Sequence, residues 1–222
     1  MTSPVADTSL TLGHLALHYP VPEDGPLAAR LLGLMGLIET QMLPLPQGPF
    51  YRFVANRHHH ARGDGIVYLS CLPAPQAELS AAIRTALKIG EAGEHPAVAG
   101  WRAMMAADYE ASFHLGFLVA SLDELEALVE ALRALEREDP SFAGRLQIGI
   151  NRARRGDPDI DARLDASPVF GPVSREAYGR GGVQVFVTTD LLRSGPLGED
   201  MVLEFDHVFP DSTSHILSVV EL

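Results

Sequence analysis

The sequence predicts an α+β protein made of two βαβββ modules. Two observations carry this. The order strand, helix, strand, strand, strand occurs twice along the chain. A strand that opens His-apolar-small-apolar recurs at an offset of 100 residues, as His14–Leu17 and His114–Phe117, each with a helix at the same distance behind it. The organisation read from these is a flexible tail over 1–9, a first module over 10–72, a helical connector over 73–112 and a second module over 113–222.

The elements follow in order. Leu10–Tyr19 alternates and reads as a strand. Pro26–Leu37 has helical apolar spacing, with Glu23 and Asp24 before it and Gly36 near its end. Ile38–Leu45 is a strand stopped by Pro44 and Pro46, and Phe50–Asn56 is the next. The run Arg57–Gly65, with His58, His59 and His60, reads as a solvated hairpin end leading to the strand Ile66–Leu72. Gln76–Ile89 and Pro96–Tyr109 form the connector helices, expected outside a sheet.

Phe113–Ala120 opens the second module. Leu122–Glu138 is the clearest helix: Ser121 and Glu124 make a capping box, and Leu122, Leu125, Leu128, Val129 and Leu132 form one stripe. Leu146–Asn151 is a short strand. Residues 152–182 are too long for an ordinary connection and are expected to be a lid-like loop. Val183–Thr189 and Met201–Phe209 close the module.

Composition narrows the function. The 222 residues carry 17 Lys and Arg against 29 Asp and Glu, a net charge of −12, and the pI is near 5.1. Nucleic-acid backbones and anionic membranes both want clustered basic charge, so neither is an expected partner. Lys88 is the only lysine, which leaves little room for Schiff-base chemistry. One cysteine, Cys71, excludes an internal disulfide and a cysteine-based zinc cluster, and its apolar run Ile66–Leu72 suits a buried structural thiol. A hydrophobic fraction of 46% and mean hydropathy of +0.08 allow a sizeable core. With no basic, apolar leader and no membrane-length apolar run, the expected compartment is the cytoplasm.

Strand alternation selects candidate residues. In the first strand Leu15, Leu17 and Tyr19 share one face, and His14, Ala16 and His18 the other. In the fifth, His114 lies opposite the bulky Leu115 and Phe117. In the last, Glu204 and Asp206 lie opposite Leu203, Phe205 and His207. His14, His114 and Glu204 therefore occupy the faces that bulky residues leave. A carboxylate in so apolar a strand needs a charged partner or a metal. His18 is the rival ligand on His14's face. Asp157, Asp159 and Asp161 lack the following residues of a calcium loop, and Gly179–Gly182 is a turn, with no phosphate-loop Lys-Ser/Thr after it.

Paired βαβββ modules, a first strand of the form His-hydrophobic-small-hydrophobic and a last strand reading Val-Leu-Glu-Phe-Asp (Val202–Asp206) resemble the vicinal oxygen chelate superfamily, which includes glyoxalase I, bleomycin-resistance proteins and extradiol dioxygenases. The resemblance covers about residues 10–72 and 113–209. It implies a cup-shaped, incompletely closed mixed β-barrel with outer helices. It also implies metal ligands at His14, His114 and Glu204. The corresponding strand of the first module, Ile66–Leu72, offers Tyr68, Ser70 and Cys71 but no carboxylate, so the resemblance implies three ligands and a facial triad, which suits Fe(II). The implied activity is an Fe(II) extradiol-type dioxygenase acting on a catechol-like or vicinal-oxygen substrate. The alternatives are a lyase or isomerase with Mn, Zn, Ni or Co, and a metal-free small-molecule binding protein. His18, Tyr68 and His207 are the acid–base candidates, with Tyr51, Tyr178 and His58–His60 beside them by residue type. Relatives pair modules across chains, which leaves a homodimer open, although here both modules lie in one chain.

Overall fold

The computed structural model describes residues 12–177, 179–195 and 198–210. The chain forms two compact units, Met1–Leu72 and Pro73–Leu222. The tail expected over 1–9 and the candidate Tyr178 lie outside the described residues.

The first unit runs β1 (His14–Tyr19), α1 (Gly25–Leu34), β2 (Ile38–Leu43), β3 (Phe50–Val54), α2 (Arg57–Arg62) and β4 (Ile66–Cys71). Its four strands lie in the order β2-β3-β4-β1, with β1 parallel to β4 and the other pairs antiparallel. α1 packs on β2 and β4 and buries Ala28, Leu31 and Leu32 against Leu17, Phe53 and Leu69 in one apolar layer. The histidine run departs from the expected hairpin end. It forms α2, because the Asn56 side chain accepts from the backbone N–H groups of His58 and His59 at 3.0 and 3.3 Å, and Gly63, at φ 72°, closes the C-terminus in the left-handed conformation.

The second unit begins with α3 (Ala74–Leu87) and α4 (Pro96–Ala107). It continues with β5 (His114–Leu118), α5 (Leu122–Glu138), β6 (Leu146–Asn151), α6 (Pro158–Asp165), β7 (Gly182–Ser194) and β8 (Glu199–Val208). The strand order is β6-β7-β8-β5, with β5 parallel to β8 and the other pairs antiparallel. This repeats the first unit strand for strand. The α+β class and the paired βαβββ order are as the sequence predicts.

Ser121 caps α5 by accepting from Glu124 N at 3.2 Å. Leu122, Leu125, Val129, Leu132 and Leu135 bury the apolar stripe of α5, which packs on β6 and β8. The expected lid over 152–182 is instead partly helical and fastened down. Asp157 caps α6, Arg152 N donates to Arg175 O, and Ala177 N donates to Arg152 O. Arg163 on α6 reaches Asp123 and Glu126 on α5, and Leu164, Val169 and Phe170 are buried. The apolar residues spaced among the polar ones here were the overlooked helix signal.

Candidate functional site

Register lays the site out in rows across the second sheet. One row is Gly149, Phe186, Glu204 and Gly116, on β6, β7, β8 and β5. Asn151, Gln184, Asp206 and Leu118 flank it on one side. Gln147, Thr188, Val202 and His114 flank it on the other. Paired residues share a face, so Glu204 has His114 in one adjoining row and Gln184 in the other. The two glycines admit close neighbours on either side of the polar centre: the Tyr109 ring lies over Gly149, and Glu204 Oε2 lies beside Gly116.

Glu204 is nearly enclosed. His114 Nε2 lies 3.0 Å from Glu204 Oε2, with side-chain exposures of 25% and 4%. His114 Nδ1 faces the Ser112 carbonyl oxygen at 2.9 Å, and a carbonyl requires that nitrogen to donate. Nε2 is therefore the nitrogen turned to Glu204. The other oxygen, Oε1, accepts from Gln184 Nε2 at 2.8 Å. Gln184 is wholly buried, and the same Nε2 donates to Glu110 Oε1 at 2.7 Å. Asn151 Nδ2 donates to Gln184 Oε1 at 3.1 Å and fixes the amide's orientation.

Glu204 thus meets the imidazole directly, and Glu110 is joined to it through the Gln184 amide. Burial and the charges of Glu204 and Asp108 push Glu110 up against the lowering effect of Gln184. Asp206 is pushed up to about 8, first by burial, then by the charge of Glu204 and a hydrogen bond shared with it. Asp206 Oδ1 is buried with no hydrogen-bond partner.

A short turn, Tyr109–Ala111, lies over this face. The Tyr109 ring stands 5.3 Å from the Phe186 ring, and the Arg175 guanidinium sits 4.4 Å from its centroid. The end of the connector therefore packs on the face that carries Glu204, where the sequence placed it outside a sheet. Beside it a cavity of about 410 Å3 is lined by Trp101, Met105, Val98, Arg84 and Thr188. His114 and Glu204 do not line it.

Two of the three expected ligands, His114 and Glu204, are brought together. His14 lies in the first unit, exposed, with its ring 5.4 Å from that of Tyr68. Among the described residues no group of three or more His, Cys, Asp and Glu side chains is gathered to hold a metal. His18 Nδ1 lies 3.2 Å from Ser70 Oγ. His207 points to the face opposite Glu204, where its Nδ1 meets the Val119 carbonyl at 3.1 Å. Burial pushes the Cys71 thiol up, which agrees with an unreactive side chain. Gln184, Glu110 and Tyr109 were missed in the sequence. Gln184 was legible, as a lone amide inside Val183–Val187, by the reasoning that singled out Glu204.

No family model matches the chain, and no curated protein matches it. A crystal structure of a glyoxalase/bleomycin resistance protein/dioxygenase from Nocardioides is similar over 94% of this chain and 89% of its own, at 14% identity and a TM-score of 0.37. Among the described residues no helix is long and apolar enough to cross a membrane.

Proposed function

We propose that the protein is a small-molecule metalloenzyme of the vicinal oxygen chelate kind, in which His114 and Glu204 hold a divalent metal. The observation that carries this is the 3.0 Å approach of His114 Nε2 to Glu204 Oε2, with both groups oriented from behind by Ser112 O and Gln184 Nε2. An imidazole lone pair and a carboxylate oxygen that face each other need a cation between them, either a proton or a metal ion. Two ligands at about 2.1 Å and at right angles on one ion lie about 3.0 Å apart, so the pair fits adjacent coordination positions.

When bound, the metal would act as a Lewis acid on neighbouring substrate oxygens, and as Fe(II) it would support chemistry with O2. The chain's own residues hold the geometry. Ser112 O keeps Nδ1 of His114 protonated, so Nε2 is directed inward. Gln184 steadies Glu204. Phe186 and Gly149 offer a flat apolar floor to a small ring. Asp206 stands next to Glu204 on the same strand face, paired in register with Gln184.

Metal analysis of untagged protein tests the reading, with uptake of added Fe(II) measured alongside. The expected result is about one metal per chain, reduced at least tenfold in His114→Ala and Glu204→Ala. Wild-type protein that holds no metal and takes up no added Fe(II) sinks it. Oxygen consumption with a panel of catechols then separates dioxygenase from lyase chemistry. A metal-free binding protein is the second reading. It is favoured by the fact that both Glu204 oxygens already have protein partners.

A further inference from the structure

The turn Tyr109–Ala111 behaves as a ligand of the second sheet. Its ring packs on the Phe186 ring and over Gly149, where a Cβ would stand 2.3 Å from Tyr109 Cε2. Gly149 has ordinary strand backbone, so glycine is required there by the ring and not by a turn. The neighbouring carboxylate, Glu110, takes one N–H of the Gln184 amide, and Glu204 takes from the same nitrogen. Arg175 covers the outer face of the ring and donates to the Ala107 carbonyl, while Asp108 Oδ1 accepts from Glu110 N at 3.0 Å and holds the turn together. A planar ring and an acid group thus sit side by side, in the turn just before β5 and joined to Glu204 through the Gln184 amide.

We propose that Tyr109 and Glu110 are an internal occupant of the candidate site, and that a small acid bearing a ring binds by displacing them. The incoming ring takes the Gly149–Phe186 floor, and its carboxylate takes the Gln184 amide. Arg175 then covers the new ring or pairs with its charge. The occupant lowers the apparent affinity by the fraction of molecules in which the turn is out. This rests on reading the second sheet's face as the ligand site, and not on the metal.

The test uses the full chain and isothermal titration with phenylacetate, benzoate and, as controls, acetate and toluene. Trp101, the only tryptophan, lies on α4 and reports the same event by fluorescence. Wild type is expected to bind the aryl acids weakly. Tyr109→Ala/Glu110→Ala is expected to bind them at least tenfold more tightly, and neither control should gain as much. Asp108→Ala removes the acceptor that holds Glu110 N, and so loosens the turn without touching the floor or Arg175. It should bind with intermediate affinity, and it stands as the test if the double variant fails to fold. Equal affinities in wild type and a folded variant overturn the proposal, as does gain for acetate equal to that for phenylacetate, or no aryl acid bound by any folded variant. Metal content is measured on the same samples. Tenfold tighter binding in metal-free variant protein would leave this proposal standing whatever the outcome of the Fe(II) uptake measurement, which alone decides the metal reading.

Discussion

Gly149→Ala tests whether the Tyr109 ring is seated as described. The new Cβ would lie 2.3, 2.5 and 2.9 Å from three ring carbons. Ordinary carbon contacts are about 3.5–4.0 Å, so the ring must retreat by about 1 Å or leave. It would then forfeit its packing on Phe186, worth about 0.5–1.5 kcal/mol, and its contact with Arg175, worth about 0.5–1 kcal/mol. Against that, alanine is favoured over glycine in a strand by about 0.5–1 kcal/mol. The net expected loss is about 1 kcal/mol, or a fall of about 2–4 °C in Tm. The sign should reverse in a Tyr109→Ala background, where the new methyl meets no ring and only the backbone gain remains. Urea melts of the four members of this cycle give the coupling directly. Gly149→Ala costs of the same sign and size in both backgrounds would refute the seating of Tyr109.

Other outcomes follow from the same contacts. Gln184→Leu removes the donor to Glu204 and Glu110 and the acceptor for Asn151, so it should cost about 3 kcal/mol in urea unfolding, more than a typical strand substitution. Leu125→Ala, in the wholly buried stripe of α5, should cost about 2–5 kcal/mol by the same assay. Glu126 is held below the usual carboxylate range by its hydrogen bonds from Arg163 and Ser167. A lowered folded pKa gives stability that is present above the unfolded value and is lost as pH falls through the folded one. The advantage of wild type over Glu126→Gln should therefore shrink between about pH 5 and pH 3, as seen in melts across that range.

The architecture was legible because each module repeats one element order and each strand announces its faces. His14 and His114 both open their strands, and the α5 stripe matched almost residue for residue. Glu204 was legible as a charge among apolar neighbours, and the structure gives it His114 as a partner. The histidine run misled because three like residues say nothing of backbone conformation, whereas the Asn56 cap and Gly63 stop decide it. Residues 152–182 misled because prolines and glycines masked a two-turn helix anchored through Arg163. The turn over the site could not be read at all. Tyr109 and Glu110 end a helix in the sequence, and only the close approach of β6 at Gly149 places them on the sheet.

The parallel strand pair of each unit keeps the same register, and the two pairs differ in what they carry. Ala16 pairs with Tyr68 in the first as Gly116 pairs with Glu204 in the second. His18 pairs with Ser70 as Leu118 pairs with Asp206. The strand-opening histidine is kept in both modules, while the two positions beside it are hydroxyls in one and carboxyls in the other. Carboxyls are costly to bury, and Glu204 is satisfied here by recruiting Gln184, which Asn151 orients, and the imidazole of His114. In the first unit Tyr68 meets aromatic rings, His14 and Phe50, and Ser70 meets His18. A module that carries its own buried polar network on an otherwise apolar sheet is holding charge in place at a cost to folding. That cost is the strongest physical reason to look for the reaction on the face of the second sheet.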